Sequence, residues 1–414
     1  MPNVAAVTSK ITDETARPFE NNTVLVSKVN RQFDGEFARS GGKIGYDLKV
    51  RLPNRFSVRS GATFSATDIA DPTITISNNV QKGVDFTMST ADMTMSFDHV
   101  LERYAKPAAL TLAAQADKEG FDLYKKISRL TGTPGTQPSS SNGASYMMQA
   151  NTWITDQAAP EGDRHLILST QHEISMIDAF KGLYNSQGAI GEQYMKGQFA
   201  QGILGYSSIS RAQSVAVHTA GAYAGTLQVD GAQGAASGAS YLTGTLAIKG
   251  GSNSITGFFK AGDVITIDGL YDTNPLTGVK RPYLKKFTIN ADADTDGSGK
   301  IAALSITPAI VYGGPYKTVS AQAANNASIT VVSGAASSVS EQSLAFHSDA
   351  LTFVMADLEM PTQGVVASAR RRVGDFSFRT ICYYDGDNDL YKFRIDGLWG
   401  WAALRQEWAC RLAF

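Results

Sequence analysis

The chain has 414 residues with 37 basic and 38 acidic side chains, a net charge of −1 and 43% hydrophobic residues. That balance excludes a protein whose main work is gripping nucleic acid, which rests on neutralising many phosphates, and no apolar run approaches the roughly 20 residues that span a bilayer. The length predicts two or three domains. The first residues show no signal-peptide pattern. Cys382 and Cys410 make neither metal nor redox spacing; in apolar surroundings they read as buried free thiols, with a disulfide as the alternative, and point to a cytosolic origin.

Residues 7–37 mix helical spacing with Asn and Gly breaks, which predicts a loosely structured arm with short helices. From Ile44 the period changes to two, with Leu48, Val50 and Leu52 alternating with Lys49 and Arg51. Extended pieces follow at 73–76 and 84–88, so residues 43–89 read as a long two-stranded loop with few core residues of its own, marginal without a partner to pack on. The longest helical signal runs over 97–130, with Ser96 as its cap and Pro107 kinking or splitting it near Lys106. After a loop at 131–145 come a helix over 146–157, a buried strand at 165–169, a helix to about 180 opened by a Thr170-x-x-Glu173 capping box, and a helix over 190–201.

Residues 219–341 differ from their flanks. They are rich in Gly, Ala, Ser and Thr, thin in charge, and read as an insertion. Six short strands, at 226–229, 244–248, 263–267, 286–289, 302–306 and 328–332, predict a small barrel or sandwich. Beyond it, Ser348 opens a predicted helix to 358. Strands at 376–384 and 390–396 flank an Asp385–Asp389 turn, and Tyr391, Phe393 and Ile395 alternate with charged residues as a half-buried antiparallel strand does.

Chemical motifs are incomplete. Asp292, Asp294 and Asp296 resemble the start of a calcium loop, but the twelfth position, where a bidentate Glu belongs, is Ala303 and the flanks are strands. A hairpin turn with solvated carboxylates is the reading, with weak calcium binding as the alternative. Gly297-Ser298-Gly299-Lys300 lacks the Ser or Thr and the first Gly of a phosphate-binding loop. His99, His165, His172, His218 and His347 are scattered. Asp385, Asp387 and Asp389, which a glycosidase would place as acid and base, sit in one turn and read as solvated. No catalytic, cofactor or metal residue is assigned. Arg370-Arg371-Arg372 is either a solvated charge run or an interface anchor.

Several segments resemble the major coat protein family of short-tailed phages of the Salmonella-phage type. They are ENNTVLVSKVN (20–30) with RQF (31–33), RLPNRFSVRSGATFS (51–65), GVDF (83–86), RYAKPA (103–108), GTPG (132–135), EQYMKG (192–197), VHTAG (217–221), FFKAGDVITIDG (258–269), AFHSDALTFVMAD (345–357) and GLWGWAALRQEW (397–408). The resemblance covers almost the whole chain, insertion included. It implies an α+β, Hong Kong 97-like capsid fold. Its parts would be an arm (1–42), an extended loop (43–89), a peripheral domain with a spine helix (90–144 and 362–414), an axial domain (145–218 and 342–361) and an inserted β-barrel domain (219–341).

The function implied is that of a virion subunit that self-assembles into pentamers and hexamers of an icosahedral head. Implied partners are further copies of the chain, a scaffolding protein, a portal and the enclosed double-stranded DNA, with assembly in the bacterial cytoplasm and no membrane. Some capsids of this fold crosslink through a Lys–Asn isopeptide, but nothing marks such a pair here. Arg51, Arg55 and Arg59, four apart and on one side of an ideal strand, are candidate subunit contacts together with Arg370, Arg371 and Arg372. The alternatives are a β-rich carbohydrate-active enzyme and a cellular nanocompartment shell of the same fold.

Overall fold

The computed structural model describes residues 2–34, 45, 47–58, 61–64, 71–91, 101–139, 141–179, 202–238, 240–373 and 376–414. The chain forms two compact units. The first comprises Met1–Val50, Thr75–Gly120 and Thr352–Ala402; the second comprises Arg51–Ile74, Phe121–Leu351 and Ala403–Phe414.

The first unit is built on an antiparallel sheet in the order Leu351–Ala356, Leu390–Ala403, Phe376–Asp385, Ala367–Val373, with Val80–Ser89 also pairing along the long Leu390–Ala403 strand. In place of a loose arm, Pro2–Asn22 is one 21-residue helix lying on the Ala367–Val373 and Phe376–Asp385 strands. Its Thr-rich face can be buried because Thr12 and Thr15 donate to the carbonyls of Thr8 and Ile11, both at 2.7 Å, leaving no unmet hydroxyl. Phe19 anchors that face edge-on against Phe376 and Phe378. Residues 84–88 do not continue a projecting loop. They belong to the sheet, where Phe86 stacks on Phe393 and Tyr104. Nor is 348–358 helical. A single 3-10 turn, Ser348–Ala350, leads into the strand Leu351–Ala356, because LTFVM is an apolar, β-prone run buried on both faces.

The predicted long helix is shorter. A π-helical turn, Leu101–Ala105, precedes the α-helix Lys106–Phe121, and a 3-10 turn, Asp122–Lys126, follows it. Pro107 comes just after the π turn, and its missing N–H removes one donor where that wider turn gives way to the α-helix. Residues 97–100, with the proposed cap Ser96, lie outside the described residues. Asp117, buried on this helix, accepts three successive backbone N–H groups, from Val24, Leu25 and Val26, at 2.7, 3.1 and 3.2 Å. It pins the segment that follows the N-terminal helix.

In the second unit a mixed sheet runs Leu130–Thr131, Ala409–Ala413, Val339–His347, Arg164–Leu168, Ser208–Arg211, with the helices Gly143–Asp156 and Thr170–Ala179. The cap of the second helix is Ser169, whose Oγ accepts from the His172 N–H; Glu173, read as part of a capping box, instead faces Arg211. The helix expected over 190–201 lies outside the described residues. The six strands expected in the insertion all form. They order Ile329–Val331, Val264–Thr273, Lys280–Ile289, Ile301–Thr307, Gly244–Gly251, Gly225–Val229. The two ends of that series meet through a Gln228–Ser328 bridge and paired bonds between Val229 and the 326–327 backbone, so the sheet closes into a barrel. Leu246, Phe258, Phe259, Ile265, Ile267 and Phe287 fill it. The alternate residue Val264 packs outside, on Leu130 and Ala413. Where the insertion leaves and rejoins the host, Ser340 pairs antiparallel with His218, so its two ends are neighbours.

Candidate functional site

The extended loop of the second unit is anchored at its base, and the described apolar side chains beyond that base are exposed. Leu52 N–H donates to the Pro72 carbonyl at 2.8 Å and Asn54 Nδ2 to Asp71 Oδ1 at 3.1 Å, which clips the two limbs together. Tyr316 donates to Asn54 Oδ1 at 2.9 Å. Arg55 lies with its guanidinium 4.0 Å from the Tyr241 ring centre and 3.2 Å from Glu407, and Tyr241 donates to the same carboxylate at 3.1 Å. Burial and Glu407 raise the Tyr241 pKa, holding it as a donor. Beyond this latch Phe56, Val58 and Phe64 are 63, 95 and 84% exposed. Apolar side chains bare at that level on a projecting segment mark an interaction surface.

Of the arginines singled out from the sequence, Arg55 is therefore held within its own chain. Arg51 is exposed and faces only a distant Asp71 at 3.7 Å among the described residues, and Arg59 lies outside them. Arg370, Arg371 and Arg372 are exposed on the Ala367–Val373 strand at the edge of the first unit's sheet. Arg371 pairs with Asp13 of the N-terminal helix at 2.9 Å, and Arg370 donates to the Leu358 carbonyl. Arg370 also lies 4.0 Å from Asp357, and both arginines remain solvent-facing. The loop anchors Tyr241, Tyr316 and Glu407 were not singled out from the sequence as partners of the loop; they lie 186 or more residues from the Asn54 and Arg55 side chains they hold and meet them only in the fold.

A second constellation sits where the insertion joins the host. His218 Nε2 faces Asp263 Oδ1 at 2.9 Å, so that nitrogen carries a proton, and Nδ1 lies 3.0 Å from the Tyr124 hydroxyl. Asp263 also accepts from the Gly221 and Lys260 N–H groups and from Ser333. Gly262, at φ +103°, is required there because a Cβ would meet the Tyr124 ring at 2.9 Å. Arg411, fully buried, donates to the Gly262 carbonyl at 2.9 Å, and burial brings its pKa down to about 10. His218, Asp263, Tyr124 and Arg411 are buried and bonded within this cluster, although Arg411 Nε has no partner among the described residues. The constellation is a weld, with no room for a substrate.

The remaining motifs are also occupied by structure. Asp292 pairs with Lys260, Asp294 accepts from the Gly257 N–H, and Asp296 accepts from the N–H groups of Ser298 and Lys300. This is a cross-braced turn. Asp385 holds Lys392, and Asp389 accepts from Tyr384 and Thr90. His165 and His172 bond Ser208 and Ser343, and burial lowers the His172 pKa to about 4. His347 accepts from the Asp349 N–H; His99 lies outside the described residues. Cys382 and Cys410 are free and buried, with burial pushing their pKa up to about 11 and about 12.

The profile of the P22 coat protein family (P22 coat protein, gene protein 5) matches residues 3–410. A structure from Mycobacterium phage Che8 superposes with a TM-score of 0.50 at 12% identity, covering 94% of this chain and 90% of that one. A chain of the asymmetric unit of the bacteriophage PhiM1 mature capsid aligns with a TM-score of 0.46 at 10% identity, covering 94% and 86%. At such identities the Che8 likeness is one of fold, and the fold is the Hong Kong 97-like capsid fold. No curated protein sequence matches the chain.

Proposed function

Because the chain belongs to the P22 coat protein family, and so is a major capsid protein of a tailed phage, we propose that it closes an icosahedral head from pentamers and hexamers around double-stranded DNA. The observation that carries the self-assembly is the loop. It is clipped at its base by Leu52, Asn54 and Arg55, and presents Phe56, Val58 and Phe64 to solvent. Burying such side chains against a neighbour is worth about 1.5–3 kcal/mol each. Repeated around a ring and between rings, contacts of that size suffice for a shell. Arg51, Arg59, Arg370, Arg371 and Arg372 are proposed as charged contacts between subunits; Arg55 serves the loop from within.

In this reading residues 1–42 are the arm, 43–89 the extended loop with its last strand, Val80–Ser89, paired into the first unit's sheet, 90–144 with 362–414 the peripheral domain, 145–218 with 342–361 the axial domain, and 219–341 the inserted barrel. A scaffolding protein and a portal are partners during assembly in the bacterial cytoplasm. The near-neutral charge suits a wall that encloses DNA without gripping it. Electron microscopy and light scattering of the purified chain test this reading. The parent should form closed shells, and a Phe56→Ser, Val58→Ser, Phe64→Ser variant should stay folded by circular dichroism and remain unassembled. Normal shells from that variant would remove the loop from the mechanism.

A further inference from the structure

Beneath the loop latch the second unit holds a small, solvent-open cleft bordered by Arg55, Arg129, Gln157, Lys285, Lys317 and Glu407. Its charges do not cancel. Glu407 is answered by Arg55 at 3.2 Å and further held by the Tyr241 hydroxyl. Asp272, which lies behind the wall, is shared by Arg129 at 2.5 Å and Lys285 at 2.7 Å, so one carboxylate serves two cations. Lys317 has no carboxylate within ion-pair distance among the described residues. Two positive charges are thus left over on a half-enclosed surface. Burial pulls the Lys285 pKa down against the pull of Asp272, and Arg129 and Arg55 add to that lowering.

Two polar atoms in the same wall have no partner. Gln157 is 6% exposed and its Nε2 makes no hydrogen bond; Gln406 Oε1, also buried, makes none. One is a donor and the other an acceptor, and leaving either unpaired away from water is unfavourable. A ligand that satisfies the wall must be anionic, small, and both acceptor and donor. Hydrogen phosphate has this combination: its oxygens accept from Lys317 and Gln157, and its hydroxyl donates to Gln406. Sulfate carries the charge without the hydroxyl.

We propose that this cleft binds inorganic phosphate. The bound ion ties the loop base (Arg55), the segment after the spine helix (Arg129) and the barrel (Lys285, Lys317) to one another, and so stiffens the loop. This site does not depend on the assembly reading, because it lies within one unit of one subunit.

The test is a calorimetric titration of the full-length chain, dialysed free of phosphate, with inorganic phosphate. A saturable one-to-one isotherm is expected, weakened at least tenfold by Lys317→Gln and abolished by Gln157→Glu, which places a carboxylate where the ion sits. Lys249→Gln, a barrel-surface cation paired with Asp230 and remote from the cleft lining, should leave it unchanged. Should Gln157→Glu fail to fold, Lys317→Gln decides alone, since that side chain is part-exposed. Sulfate should bind more weakly, and a short DNA duplex should not displace phosphate. No saturable heat, an isotherm indifferent to Lys317→Gln, equal affinity for sulfate, or displacement by the duplex would each overturn the proposal; the last would give the phosphate contact to nucleic acid.

Discussion

Reversing the charge at Arg55 separates two roles that its position allows. Both side chains of the Arg55–Glu407 pair are 18% exposed. That lies between a surface pair, worth at most about 1 kcal/mol, and a buried one, whose disruption costs about 3–5 kcal/mol. About 2 kcal/mol is a fair value for the lost pair, with about 1 kcal/mol more for the contact with the Tyr241 ring. Arg55→Ala should therefore destabilise the unassembled subunit by about 2–3 kcal/mol, and Arg55→Glu by somewhat more, since two carboxylates would then share the Tyr241 hydroxyl. Combining Arg55→Glu with Glu407→Arg should restore part of the loss and give a coupling of about 1–2 kcal/mol. Urea denaturation followed by tryptophan fluorescence measures all four corners of the cycle. If Arg55→Glu leaves the urea midpoint of the subunit unchanged and yet blocks shells, the arginine acts between subunits and the latch described above is wrong. Arg51→Glu with Arg59→Glu is the complementary variant: it should leave the subunit's midpoint unchanged and reduce shell yield.

The half-buried Lys286, donating to the Leu130 carbonyl, has its pKa lowered to about 8 by desolvation. A lysine with a lowered pKa is a cost below pH 8 that fades as the pH climbs towards 10.5. Lys286→Met should thus be the more stable protein at pH 7, by up to about 3 kcal/mol, with the gap closing by about pH 10.5; a gap that does not change with pH would refute this. Asp117→Ala orphans three backbone N–H groups and should cost about 3–4 kcal/mol in chemical denaturation, whereas a loss under about 1 kcal/mol would mean that the 24–26 segment is held elsewhere. Calorimetry with calcium should show no micromolar binding at the 292–296 turn, and a stoichiometric isotherm that vanishes on Asp294→Ala would contradict the cross-braced hairpin. Residues 219–341 expressed alone should be soluble, show a β-type circular dichroism spectrum and unfold cooperatively. They should be less stable than in the full chain, because Asp263 loses His218 and Asp272 loses Arg129; a disordered fragment would end the reading of an autonomous barrel.

Legibility in the sequence followed the range of the forces involved. The six barrel strands were visible because their signal is local: short apolar, β-prone runs of three to ten residues, with turn residues between. The same rule failed at 348–358, where Ser348 looked like a cap and the run after it carries no alternation, since the strand is buried on both faces. It failed again at the N-terminus. There the Asn and Gly breaks suggested only short helices, whereas Thr8, Thr12 and Thr15 are core, with the Thr12 and Thr15 hydroxyls turned back onto the helix. The loop was legible as a projecting element but its anchors were not. Asn54 and Arg55 find Tyr316, Tyr241 and Glu407 across separations of 262, 186 and 352 residues, and no pattern in one sequence announces such a meeting.

The insertion shows why a host fold can carry an extra domain at little cost. Its two ends pair as adjacent strands at His218 and Ser340, so the host closes the same short gap whether a turn or a whole barrel fills it, and loop-closure entropy grows only slowly with length. What the host must supply is a fixed orientation, and that comes from charge buried at the junction. Asp263 and Asp272 in the barrel meet His218, Arg129 and Arg411 of the host, directly or through the Gly262 carbonyl. Such groups add little net stability once desolvation is counted, but any rotation of the barrel would leave them buried and unpaired at several kcal/mol each. The barrel is therefore held rigidly against the sheet that contains Ala409–Ala413, and through Glu407 and Tyr241 the same scaffold sets where the base of the extended loop can lie.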